Sequence, residues 1–137
     1  MGRMSDAQAN LLLDLYFSKA SNSTVPATLY IGLSTTTPTN TGTSVTEPAG
    51  SAYARVAVTN NVTNFPAASS RSKSNGTDIV FPTATGSWGT ITHFVIYDAL
   101  TGGNFVAWGA LTVPVSVING ATVTFVTGSL VINAPGA

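Results

Sequence analysis

Hydrophobic positions along this chain change period once. From Ser5 to Ala20, "SDAQANLLLDLYFSKA" places Leu11, Leu12, Leu15 and Tyr16 on one face at helical spacing, with Leu13 and Phe17 widening the stripe. Ser5 with Gln8 three residues later matches a capping box. Asp6 in the first turn and Lys19 in the last complement the helix dipole, and Ser21 to Thr24 end the helix. After Pro26 the period becomes two. "TLYIGLS" alternates Leu29, Ile31 and Leu33 with Thr28, Tyr30 and Gly32, the pattern of a half-buried strand. "YARVAVT", "TDIVF", "TITHFVIYD", "NFVAWGAL", "VPVSVI", "ATVTFV" and "SLVIN" continue it, with a Gly-Gly turn at Gly102 and Gly103. Asn119-Gly120 is read as a two-residue hairpin between its flanking strands. About eight short strands at this spacing predict an all-β fold, an antiparallel β-sandwich of jelly-roll type with one short N-terminal α-helix. The expected division is a helical arm over residues 1–24 and a single β-domain over 25–137. No repeat, heptad or second domain interrupts it.

Two stretches stand outside the alternation. Thr35 to Gly50 is long, polar and nearly uncharged, and a loop of such length without its own secondary structure is a contact candidate. Asn60 to Asn75 is polar around a single anchor, Phe65, and holds the clustered cations Arg71 and Lys73.

Composition narrows the function. In 137 residues there are five Lys and Arg, five Asp and Glu, one His and no Cys, so the net charge is zero and charged residues make up 7%. Ordinary soluble surfaces carry roughly 25–35%. With no basic patch to neutralise phosphates, nucleic acid and anionic membranes are not expected partners. A near-neutral, Thr-rich surface resists self-association poorly, which suits a protein living inside an assembly. The start "MGRMSDAQAN" has no apolar core with a small-residue cleavage site, so synthesis in a cytoplasm is expected.

Little chemistry is in reach. His93 sits within a strand, and a Ser-His-Asp set with Asp98 would need a geometry that spacing cannot supply. The acids Asp6, Asp14, Glu47, Asp78 and Asp98 are scattered, and neither a metal site nor a cofactor is expected. Asn22, Asn61 and Asn75 match the glycosylation pattern, a frequent coincidence in a Thr-rich chain. Trp88, Trp108 and Tyr53 could form a sugar-stacking platform, although large aromatics fill cores by default. Candidate partner contacts are Leu11, Leu12, Leu15 and Tyr16 on the helix, Thr36, Thr37, Pro38, Val45 and Glu47 in the long loop, and Arg71 with Lys73, which could dock to an acidic surface.

The stretches Pro26 to Tyr30 ("PATLY"), Tyr53 to Arg55 ("YAR"), Phe81 to Phe94 ("FPTATGSWGTITHF") and Gly109 to Thr112 ("GALT") carry a resemblance. Together with the preceding helix and the Gly-Gly turn, they resemble a family of small virion structural proteins of tailed bacteriophages, usually labelled tail-fibre-like. The resemblance covers most of the chain and is weakest over Thr59 to Asn75 and at the C-terminal "INAPGA". It implies a non-enzymatic virion protein, assembled in the host cytoplasm with other virion proteins, and it carries over no catalytic residue. Size and shape, rather than the resemblance, favour a many-copy or homo-oligomeric tile that decorates or cements the head by bridging major capsid protein subunits. A fibre shaft would need repeats or a coiled coil. The alternative is a protein associated with the tail or its fibre, with host-glycan binding through Trp88, Trp108 and Tyr53.

Overall fold

"GTITHFVIY" becomes β6 (Gly89–Tyr97), whose Ile91, Phe94, Val95 and Ile96 are all buried. In the computed structural model, which describes residues 2–17 and 25–134, β6 lies inside a seven-stranded sheet. Its other members are β1 (Gly2–Met4), β2 (Thr28–Ser34), β3 (Val56–Thr59), β4 (Ser72–Ser74), β7 (Phe105–Val117) and β9 (Val131–Asn133), in the order β3-β2-β6-β7-β1-β9-β4. A second sheet pairs β5 (Ile79–Val80) with β8 (Thr124–Phe125), and the one helix among the described residues is α1 (Asp6–Phe17). The described residues therefore form the expected all-β, sandwich-like fold with one short helix. Its layers are unequal, and one pair, β1 with β9, is parallel within otherwise antiparallel ladders.

Alternation sets the layers. Leu29, Ile31 and Leu33 of β2 share one face with Phe94 and Ile96 of β6 and Ala107 of β7, by their ladder register. That face meets the small sheet, where Phe125 packs edge-on against both Phe94 and Phe81. Ile79, Phe81, Ile91, Val117 and Leu130 complete the core.

Asn75, read as a glycosylation match, is instead 1% exposed. Its Nδ2 donates toward the carbonyls of Thr77, Phe125 and Val126, and its Oδ1 accepts from the Leu130 N–H. It thus ties the approach to β9 to both strands' ends in the small sheet. Asn75→Ala strands these groups without water, and we expect a loss of about 2 kcal/mol, read as a fall of about 7 °C in Tm by calorimetry.

Three expectations change. Gly2–Met4, assigned to a helical arm, is a strand in the middle of the main sheet. Its partners are Trp108 and Gly109 on one side and Ile132 and Asn133 on the other. "NFVAWGAL" and "VPVSVI" fuse into the single strand β7. There Leu111 to Pro114 form a bulge, because His93 pairs with Ala110 and Ile91 with Val115, leaving only Thr92 opposite the four. Asn119-Gly120 does turn the chain, closed by the Ala121 N–H to the Ile118 carbonyl, but its flanks enter different sheets. Only Gly120 has a positive φ (86°), and a type I′ hairpin needs it at both central positions. Lys19, Asn22 and the helix stop at Ser21 to Thr24 lie outside the described residues.

Candidate functional site

The long loop does not float. Ser34 ends β2, and its buried hydroxyl donates to the Thr36 carbonyl and accepts from the Thr46 N–H, drawing the two arms of the loop together. The Thr35 N–H donates to the Thr46 carbonyl, the Thr36 hydroxyl to the Ser44 carbonyl, and the Thr39 and Thr43 hydroxyls pair at 2.6 Å. Threonines that look like a sticky surface are spent on one another, in an Ω-type loop closed by its own side chains. The loop lies on the sheet's outer face. Trp108 Nε1 donates to Asn40 Oδ1 at 3.1 Å, and the Asp6 N–H of the helix start donates to the Asn40 carbonyl.

Its far end is anchored by charge. Glu47 takes both Nε and Nη2 of Arg55 (3.0 and 2.7 Å) and the Tyr53 hydroxyl (2.7 Å). Arg55 Nη1 donates to the carbonyls of Ala99 and Gly102, and its guanidinium lies 3.7 Å from the Tyr97 ring centroid. The Tyr53 oxygen in turn accepts from the Leu33 N–H, beyond the last β2–β3 pair, Ile31 with Val56. Burial first, and then the bond to Glu47, push the Tyr53 phenol far above its ordinary value, so it stays a donor. Burial alone would lower Arg55, but the hydrogen bond and charge of Glu47 outweigh it and raise it.

Most expected contacts in the loop are thus structural. Pro38 is buried and Val45 and Glu47 are half-buried, whereas Thr36 and Thr37 are exposed, Thr36 with its hydroxyl bonded within the loop. The sugar platform is not assembled either. Trp88 is 4% exposed, with its Nε1 donating to the Ser51 carbonyl, and Tyr53 packs edge-on against it and parallel to Phe81. Trp108 stands elsewhere, half-buried, with Arg3 over its ring at 5.8 Å. A sequence cannot distinguish a core Trp from a surface one when both lie next to Gly.

His93 shares a 2.7 Å hydrogen bond between Nδ1 and the Thr92 hydroxyl, and burial pushes it below its ordinary value. Asp98 is held by Asn104 in the Gly-Gly hairpin, whose side-chain and backbone N–H groups keep its carboxyl below the usual range. Among the described residues no three of His, Asp and Glu gather as metal ligands, and no helix is long and apolar enough to cross a membrane.

What projects is apolar. Ser5 caps α1, accepting from the Gln8 N–H while donating to the Phe105 carbonyl, and so fixes the helix start against β7. Beyond that anchor the expected stripe is not buried: Leu11, Leu12 and Leu13 are exposed, Tyr16 is 81% and Phe17 79% exposed, and their two rings touch edge-on. The Leu15 side chain lies outside the described residues. A second projection, missed in the sequence, is the β7 bulge with Val113 68% exposed beside Pro114. Its one signal was Pro114, near the start of the second of two runs read as separate strands. Arg71 is exposed and Lys73 half-buried on the opposite flank, around β4.

These features define a small all-β protein whose long polar loop is tied down by its own side chains and whose helix and β7 bulge project apolar side chains. Residues 3–133 match the family described as Podophage GP4 fiber I protein gp80, and the chain belongs to it. It is thus a member of a tailed-phage virion protein family of fibre type, as the motif resemblance implied. No curated protein matches.

Proposed function

We propose that this chain is a non-enzymatic structural subunit of the phage fibre apparatus, held in the virion by the exposed face of α1. The observation that carries the reading is the contrast between that face and the rest. Leu12, Leu13, Tyr16 and Phe17 stand in solvent, while Glu47, Tyr53 and His93 are tied into the scaffold. A run of large apolar side chains on a projecting helix is the surface a neighbouring virion protein would cover. Binding only to the assembled state would stabilise that state by mass action.

Leu12→Ser with Tyr16→Ser removes this face without touching the sheet. Stability should change by no more than about 0.5 kcal/mol, while copies per purified virion fall at least about fivefold by quantitative mass spectrometry, the effect of losing roughly 1 kcal/mol of contact. Full incorporation of the double variant would refute the role of α1. A deletion of residues 1–20 is the wrong test, because it also removes β1.

Head decoration is the second reading. It is favoured by the lack of any repeat or coiled-coil shaft in a 14.0 kDa chain. In that case the same helix would bridge major capsid protein subunits. Immunogold labelling on tails and fibres supports the first location, and labelling spread over heads supports the second.

A further inference from the structure

The core face of the main sheet runs on past the small sheet that covers its middle. There it forms the floor of a cavity of about 300 Å³. Leu29, Ile96, Val106, Ala107, Met4 and Ile132 line it with carbon. The space equals roughly ten waters at ~30 Å³ each, and water over such a floor lacks the two to four polar partners that hold it. One wall is the hairpin carrying Ala68, Arg71 and Lys73. Lys73 pairs with Ile132 across the β4–β9 ladder, so its side chain shares the floor's face.

The hairpin itself is strained. Ser69 and Ser72 close a two-residue turn in which Ser70 and Arg71 both take positive φ, 51° and 60°. Gly or Asn would sit there without cost, whereas Arg does not, and such strain recurs where a side chain is held for binding. Neither Arg71 nor Lys73 has a carboxylate partner among the described residues, where the one ion pair is Arg55 with Glu47.

We infer that this cavity binds a single-chain amphiphilic anion, its alkyl tail on the Leu29–Ile96–Ile132 floor and its carboxylate between Arg71 and Lys73. An apolar floor selects a tail, and two cations in the adjoining wall with no carboxylate partner among the described residues select a negative head. The volume is at the small end of ligand pockets, which suits one chain rather than two.

Titration calorimetry of the full chain with octanoate, decanoate and decyl maltoside tests this. Binding should be one to one, about fourfold tighter per added methylene, and about fivefold weaker for the neutral maltoside head. Ala68→Trp, at an exposed position, fills the cavity and should abolish decanoate binding. Arg71→Gly should weaken the carboxylate to the level of the maltoside while raising Tm, because Gly relieves the positive φ. A merely structural Arg71 would lower Tm on replacement. Failure of decanoate to bind saturably, equal affinity for the two heads, or undiminished binding to Ala68→Trp would each overturn the inference.

Discussion

Gly109→Val is expected to cost about 4 kcal/mol and to free three strands at once. A Cβ at Gly109 would lie 2.5 Å from the Gly2 Cα and 2.6 Å from the Phe94 ring. One at Gly2 would meet the same ring at 2.6 Å and the carbonyls of Val131 and Trp108 at 2.8 and 2.9 Å. The two glycines are ladder partners, and the Phe94 ring lies across both. Overpacking a core position costs about 1–3 kcal/mol where backbone can shift. Here the obstacle is itself backbone, and relief means expelling β1. Because β1 alone joins β9 and β4 to β7 in the main sheet, its loss detaches them as a unit. Hydrogen-exchange mass spectrometry should show residues 2–4, 72–74 and 131–133 losing protection together while β2 and β6 keep theirs. Ala110→Val, one residue on and exposed, serves as the control and should stay within about 0.5 kcal/mol. Wild-type exchange over β9 in Gly109→Val would refute the bridging role of β1.

This bridge marks where sequence reading stops. β2 and β6 were legible because alternating Leu, Ile and Val over seven to nine residues fix which side is buried. β1 was not, because "GRM" is too short to show a period and its strand pairing is set by the glycine opposite it, far away in the chain. The helix start at Ser5 was legible from its cap, but the fate of its apolar face was not. Periodicity says that Leu11, Leu12 and Tyr16 share a side, and it cannot say whether the chain's own sheet or another protein covers them. The Thr-rich loop misled in the opposite direction. Its hydroxyls look available in a sequence, yet Ser34 and Thr46 are twelve residues apart and find each other only after the chain folds back. A physical signal for the anchor was present. Glu47 and Arg55 are opposite charges eight residues apart in a chain with five of each sign, where an unpaired charge at a sheet edge would be conspicuous.

Glu47→Ala is the second large loss we expect, about 3–5 kcal/mol, or roughly 10–15 °C in Tm. The Arg55 side chain is 7% exposed against 23% for Glu47, so the cation is the more deeply buried partner. Two of its nitrogens face Glu47, the third faces two carbonyls, and Tyr97 covers its flat side. Removing the carboxylate leaves this charge dry and uncompensated, and leaves the Tyr53 hydroxyl without its acceptor. Breaking one partner of a buried pair costs far more than the pair's net worth. Replacing both tests that asymmetry. Glu47→Leu with Arg55→Met should recover at least half of the single-variant loss, with a coupling energy of about 2 kcal/mol in the double-mutant cycle. Arg55→Lys should not rescue, because a point charge cannot serve a bidentate carboxylate, two carbonyls and a ring face together. Additive losses would mean that Glu47 and Arg55 act separately.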